Sequence, residues 1–94
     1  MIVVTAIDSR ADVNTQWFQM PLSLVAFNES IAASIDNTAS SDQKVRSQTI
    51  KFRTIEAYVL FITNPEHTQF IIDRSIYNIH NNIVSRFETS IVAD

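Results

Sequence analysis

The sequence predicts one α+β domain over residues 1–94, with the element order β-α-β-β-α-β and a four-stranded antiparallel sheet carrying its helices on one face. Three observations predict it. Residues 54–92 read as a helix, a proline-marked restart, a second helix and a final strand. Residues 2–7 are apolar on both faces, as a strand in the middle of a sheet is. Between these segments, residues 31–53 alternate on either side of the turn-forming run DNTASSD.

In the first strand Ile2, Val4 and Ala6 share one side, and Val3 and Ile7 the other. Residues 8–20 are largely polar, with Val13, Trp17 and Phe18 as the residues expected to be buried, and read as a connection that packs its aromatics onto the core. Pro21 opens a short helix through Glu29, presenting Leu22, Val25 and Ala26 on one side with Leu24 and Phe27 flanking. From Ser30 the pattern alternates, placing Ile31, Ala33 and Ile35 on one face. Residues 44–53 give the next strand, with Ile50 and Phe52 inward and Thr49, Lys51 and Arg53 outward. A competing reading runs residues 22–36 as one longer helix and leaves three strands. The alternation after Ser30 favours the strand.

Thr54 is a good N-cap for a helix over residues 55–62, and Asn64-Pro65-Glu66 repeats the signal with a cap, an N1 proline and an acid in the first turn. In the second helix Ile72, Ile76, Ile79 and Ile83 recur at i, i+4, i+7 and i+11, which predicts a core-facing stripe. Phe70 and Tyr77 lie nearly opposite, so this helix is apolar on two sides. The period then drops to two, with Ser85, Phe87, Thr89 and Ile91 on one side of a strand and Val84, Arg86, Glu88, Ser90 and Val92 on the other. Right-handed crossovers put the first and third strands at the centre, the ferredoxin-like or split βαβ arrangement.

Composition excludes several classes of function. The chain is 46% hydrophobic and 18% charged, which is globular, and no apolar run approaches the roughly 20 residues that span a bilayer. The N-terminus lacks a basic leader region and reads as a first strand, so the expected compartment is the cytoplasm, without membrane attachment. Without cysteine there is no disulfide, thiolate nucleophile or cysteine-ligated metal. Without glycine there is no P-loop, dinucleotide fingerprint or nucleophile elbow, each of which needs a residue free of Cβ strain.

Few residues suggest chemistry. His67 and His80 are 13 positions apart, rotated by about 140° on a helix, so they do not share a metal; no metal and no cofactor is expected. Asp73, Tyr77 and His80 fall at i, i+4 and i+7, aligning a carboxylate, a phenol and an imidazole as the catalytic candidates. Such a flank more commonly faces solvent or an interface. Trp17, Phe18 and Tyr77 are the candidates for lining a small-molecule pocket, against the commoner use of such aromatics as core anchors. Lys44, Arg46, Lys51 and Arg53 cluster, but strand parity divides them between faces, and the net charge of −3 opposes phosphate binding. Nucleic acid is not an expected partner.

The succession of a strand ending near Arg53, the helix TIEAYVLFI, the pause at Asn64-Pro65, the helix through RSIYNIHNNI and a last strand resembles the dimeric α+β barrel superfamily. That superfamily includes antibiotic-biosynthesis-type monooxygenases and stress-responsive domains. The chain also resembles short ferredoxin-like proteins of marine phages and metagenomes. The resemblance implies homodimerisation through the open sheet faces, here Val3, Thr5, Thr49, Lys51 and the Val84, Arg86, Glu88 side of the last strand. Haem-degrading members use an asparagine, a tryptophan and a histidine. Asn14 and Trp17 lie in the wrong element for that match, and neither His67 nor His80 carries over by motif. Other members oxygenate polyketide-like aromatics without a cofactor in a pocket between helix and sheet. Together these readings give a homodimeric, non-catalytic interaction or assembly module as the expected function. The alternative is a cofactor-independent monooxygenase-like or small-ligand-binding protein.

Overall fold

The computed structural model describes residues 1–93. Its elements are β1 (Ile2–Arg10), α1 (Leu22–Ile31), β2 (Ser34–Ala39), β3 (Val45–Phe52), α2 (Ile55–Thr63), α3 (Pro65–His80) and β4 (Ile83–Ile91). The strands form one antiparallel sheet in the order β2-β3-β1-β4. This is the ferredoxin-like arrangement, with β1 and β3 central and the crossover helix divided into α2 and α3. Residues 22–36 are thus helix followed by strand.

The helix starts follow the residues that signal them. Thr54 accepts a hydrogen bond from the Ala57 amide at 3.2 Å, and Asn64 accepts one from the Glu66 amide at 2.9 Å, with Pro65 in the first turn of α3. Two left-handed residues do the work glycine usually does. Asn82 (φ 55°) leads the chain out of α3, and Gln43 (φ 63°) closes the β2–β3 hairpin. That hairpin turns at residues 40–44, beyond the predicted DNTASSD centre. Ser40 donates to Asp42 at 2.6 Å and accepts from the Val45 amide, while Asp42 accepts from the Lys44 amide at 3.0 Å, which lets β2 continue to Ala39. These bonds, the Ser40 hydroxyl first, hold the Asp42 carboxyl below its usual range.

The core lies between the sheet and the helices, built on Ile2, Val4, Ile50, Phe52 and Phe61. Phe52 is completely buried, its ring centroid 4.9 Å from that of Phe61, so truncating it to alanine costs about 3–5 kcal/mol. Ile50 and Phe52 face inward as their parity predicts. The opposite sheet face carries Val3, Thr5 and Ile7 beside Lys51, Thr49 and Ser47 on β3, with Ser90, Glu88 and Arg86 on β4. Thr5 and Thr49 share a hydrogen bond at 3.3 Å in the middle of it.

Four sequence expectations are corrected. The strand β1 runs to Arg10, because Asp8 and Arg10 continue its pairing with Ser85 and Ile83. In α1 the buried residues are Leu24 and Asn28, one turn apart, while Leu22 is exposed; the helix is turned from the predicted Leu22, Val25, Ala26 orientation. The alternation predicted from Ser30 begins later, because α1 continues through Ile31 and β2 starts at Ser34. In α3 the isoleucine stripe faces away from the core, with Ile72, Ile76 and Ile79 all exposed. The helix instead buries Phe70, Arg74 and Asn78, whose polar groups meet partners on the sheet: Arg74 meets Asp8, and Asn78 meets Ser85. A carboxylate inside the sheet layer requires a buried cation, and that requirement outweighs the apolar periodicity. Ile83 is buried, but as the first residue of β4.

Candidate functional site

Between the helices and the sheet lies a cavity of about 440 Å³, inside the roughly 300–1,000 Å³ range of small-molecule sites. Strand parity aims Val4, Ala6 and Asp8 into it from β1, and Arg46, Gln48 and Ile50 from β3. The helices supply Val25, Phe61, His67, Phe70 and Arg74. A smaller space of about 200 Å³ adjoins it, sharing Val4, Phe61, His67, Ile71 and Phe87.

Asp8 organises the polar end. One carboxylate oxygen accepts from Arg46 Nε at 3.0 Å, and the other from Arg74 Nη2. Arg74 is only 4% exposed, and its guanidinium lies 4.7 Å above the Phe87 ring. It spends one nitrogen on Asp8, and its side chain lines the cavity. His67 lies two turns away along α3. Its ring packs 4.2 Å from that of Phe61, and its buried Nδ1 has no hydrogen-bond partner. Burial lowers the imidazole pKa from its ordinary value, so the ring is neutral near pH 7. A neutral imidazole can accept or donate at that nitrogen according to its tautomer.

Residues 11–20 form a strap across one side of the cavity. Three side chains from regular elements donate to its carbonyls: Arg10 to Thr15 at 2.6 Å, Tyr77 to Gln16 at 2.6 Å and Arg46 to Phe18 at 2.9 Å. Phe18 packs against Phe70 and Tyr77, with centroids 5.6 and 5.3 Å away, and Phe18, Gln19 and Met20 complete the wall. Trp17 receives the Arg10 and Arg46 guanidinium groups at 4.2 and 4.8 Å from its ring centroid.

Of the pocket candidates, Phe18 lines the cavity, Tyr77 braces Phe18 from behind, and Trp17 anchors the strap. Of the catalytic candidates, Asp73 accepts from Gln69 at 2.9 Å, Tyr77 is spent on Gln16, and His80 is exposed at the end of α3. The structure does not join these three by hydrogen bonds. The titratable groups lining the cavity are Asp8, Arg46 and Arg74, joined at one end, and His67 two turns away along α3, and sequence reasoning did not select them as a set. The signal for Asp8 was its parity with Ile2, Val4 and Ala6, which aims a carboxylate inward. That for Arg74 was its place one turn from Phe70 and one turn from Asn78.

The geometry can be set beside known proteins. Neither a protein-family model nor a curated protein sequence matches the chain. Solved structures do. One is a protein of Deinococcus radiodurans provisionally assigned as an antibiotic biosynthesis monooxygenase, at TM-score 0.63 and 11% identity, covering 100% of this chain and 94% of that one. The chain has the fold of these proteins. Rv0793 from Mycobacterium tuberculosis aligns at TM-score 0.61 and 11% identity, covering 100% of this chain and 97% of its own. A further antibiotic biosynthesis monooxygenase aligns end to end at TM-score 0.56 and 10% identity. No helix among the described residues is long and apolar enough to cross a membrane.

Proposed function

We propose that this protein binds a small, mostly apolar molecule in the cavity between its helices and sheet. The observation that carries the proposal is one cavity with aromatic and aliphatic walls, lined at one end by the buried Arg74 and its ion partner Asp8 and at the other by the His67 side chain. The reading favours the ligand-binding alternative over a purely non-catalytic assembly module. The fold neighbours named as monooxygenases make oxygenation of a bound aromatic the reaction to assay.

The test is calorimetric titration with a neutral bicyclic aromatic, 2-naphthamide. Saturable one-to-one binding that is lost in Val25→Phe, which fills the cavity from α1, supports the proposal. Absence of saturation, or binding untouched in a folded Val25→Phe variant, contradicts it.

A second observation favours homodimerisation. The helices cover one sheet face, while the face carrying Val3, Thr5, Ile7, Thr49 and Lys51 has no described element over it. Light scattering behind size exclusion is expected to give twice the chain mass at micromolar concentration. A strict monomer there contradicts this reading.

A further inference from the structure

We infer that the ligand of this cavity is a monoanion, a carboxylate on an apolar body, received by Arg74 with Arg46 beside it. The inference rests on the ligand-binding reading above and names the chemical class of the ligand. The charged groups at the polar end are two guanidinium groups and one carboxylate, Arg46, Arg74 and Asp8. Asp8 is shared, so one positive charge is left over at the wall of a largely apolar space. An uncompensated charge in such a place is unfavourable, and a bound monoanion supplies the compensation.

The donors have the geometry for a carboxylate. Arg74 is held from both sides, by Asp8 at one nitrogen and by the Phe87 ring at its face, so its planar fork is fixed before any ligand arrives. Arg46 is similarly held, by Asp8 through Nε and by the Phe18 carbonyl through Nη2. Its side chain is 30% exposed against 5% for Arg74, so it stands nearer the solvent side of the pair. Beyond this charged end the walls turn apolar, through Val4, Ile50 and Phe61, and end at His67. Seven residues of helix separate His67 from Arg74, a rise of about 10.5 Å, which sets the scale of the ligand's apolar body. Two arginines disfavour a cation in the same place, and a neutral ligand leaves the excess charge unanswered.

The experiment is calorimetry on the whole chain with four ligands sharing one ring system: 2-naphthoate, 2-naphthamide, 2-naphthylmethylamine and 2-naphthyl phosphate. The expected result is that the carboxylate binds about tenfold or more tighter than the amide, the amine weakest. In Arg46→Gln the ratio of carboxylate to amide affinity is expected to fall severalfold, whatever the change common to both ligands, and Arg46→Lys, which keeps the charge, recovers part of that ratio. Equal affinity for carboxylate and amide overturns the anion inference and leaves the cavity reading standing. A phosphate preferred over the carboxylate overturns the choice of a monoanion. Failure of every ligand to bind overturns the cavity reading itself.

Discussion

Asp8 on β1 and Arg74 on α3, 66 residues apart, form a buried ion pair that ties the central strand to the long helix. Both side chains are nearly inaccessible, at 7% and 5%. The pair fixes which side of α3 faces the sheet, and so which residues reach the cavity.

Removing Arg74 leaves the buried Asp8 carboxylate with only the more exposed Arg46 as its cation. Arg74→Met is expected to lose about 1–3 kcal/mol in urea unfolding. Asp8→Leu combined with Arg74→Met is expected to recover much of that loss, because no buried charge of the pair is then left alone. A double variant as unstable as the two single losses added together contradicts this account of the pair.

The exposed isoleucines provide a clean discrimination between the two sides of α3. Ile76→Lys is expected to stay within about 0.5 kcal/mol of the parent, as surface substitutions do. A core position would lose several times that. Phe70→Ala, on the buried side, is expected to lose about 3–5 kcal/mol. Chemical denaturation of the two variants measures both.

Stability should depend on pH through His67. Burial lowers its pKa in the fold, so as pH falls through the ordinary value of 6.5 the unfolded chain takes up a proton before the folded one does. Protons then favour unfolding, and stability is highest above that pH and declines on the acid side. His67→Phe is expected to flatten the urea midpoint between pH 7.5 and 5 relative to the parent. An unchanged slope contradicts the assignment to His67.

Asn28 is a buried amide on α1 whose nitrogen reaches only the Met20 sulfur, at 3.6 Å, and whose oxygen has no partner. Replacing such a group by an apolar one of similar size relieves an unmet hydrogen bond worth about 1–3 kcal/mol. Asn28→Leu is therefore expected to raise the thermal midpoint, as differential scanning calorimetry reads it. A fall of several degrees contradicts this view of the site.

The fold was largely legible because its signals are local. Thr54, Asn64-Pro65 and the period-two pattern of residues 84–92 act within a few residues of where they sit, and each marks the element it predicts. The orientation of α3 was not legible, since the helix is apolar on two sides and the choice between them is made by Asp8, far away in sequence. The site was hidden for the same reason. Asp8, Arg46, His67 and Arg74 come from three elements, and only strand register and helix packing bring them to one cavity. Phe18 was legible as an aromatic needing burial; that Arg46 holds its carbonyl was not.

The most direct test of the central claim is amide chemical-shift mapping of the ¹⁵N-labelled protein during titration with 2-naphthoate. The predicted result is a saturable set of shifts at Phe18, His67, Arg74 and Phe87, around one cavity. Shifts confined to Thr5, Thr49 and Lys51 on the open sheet face, or no saturable shifts at all, would contradict it.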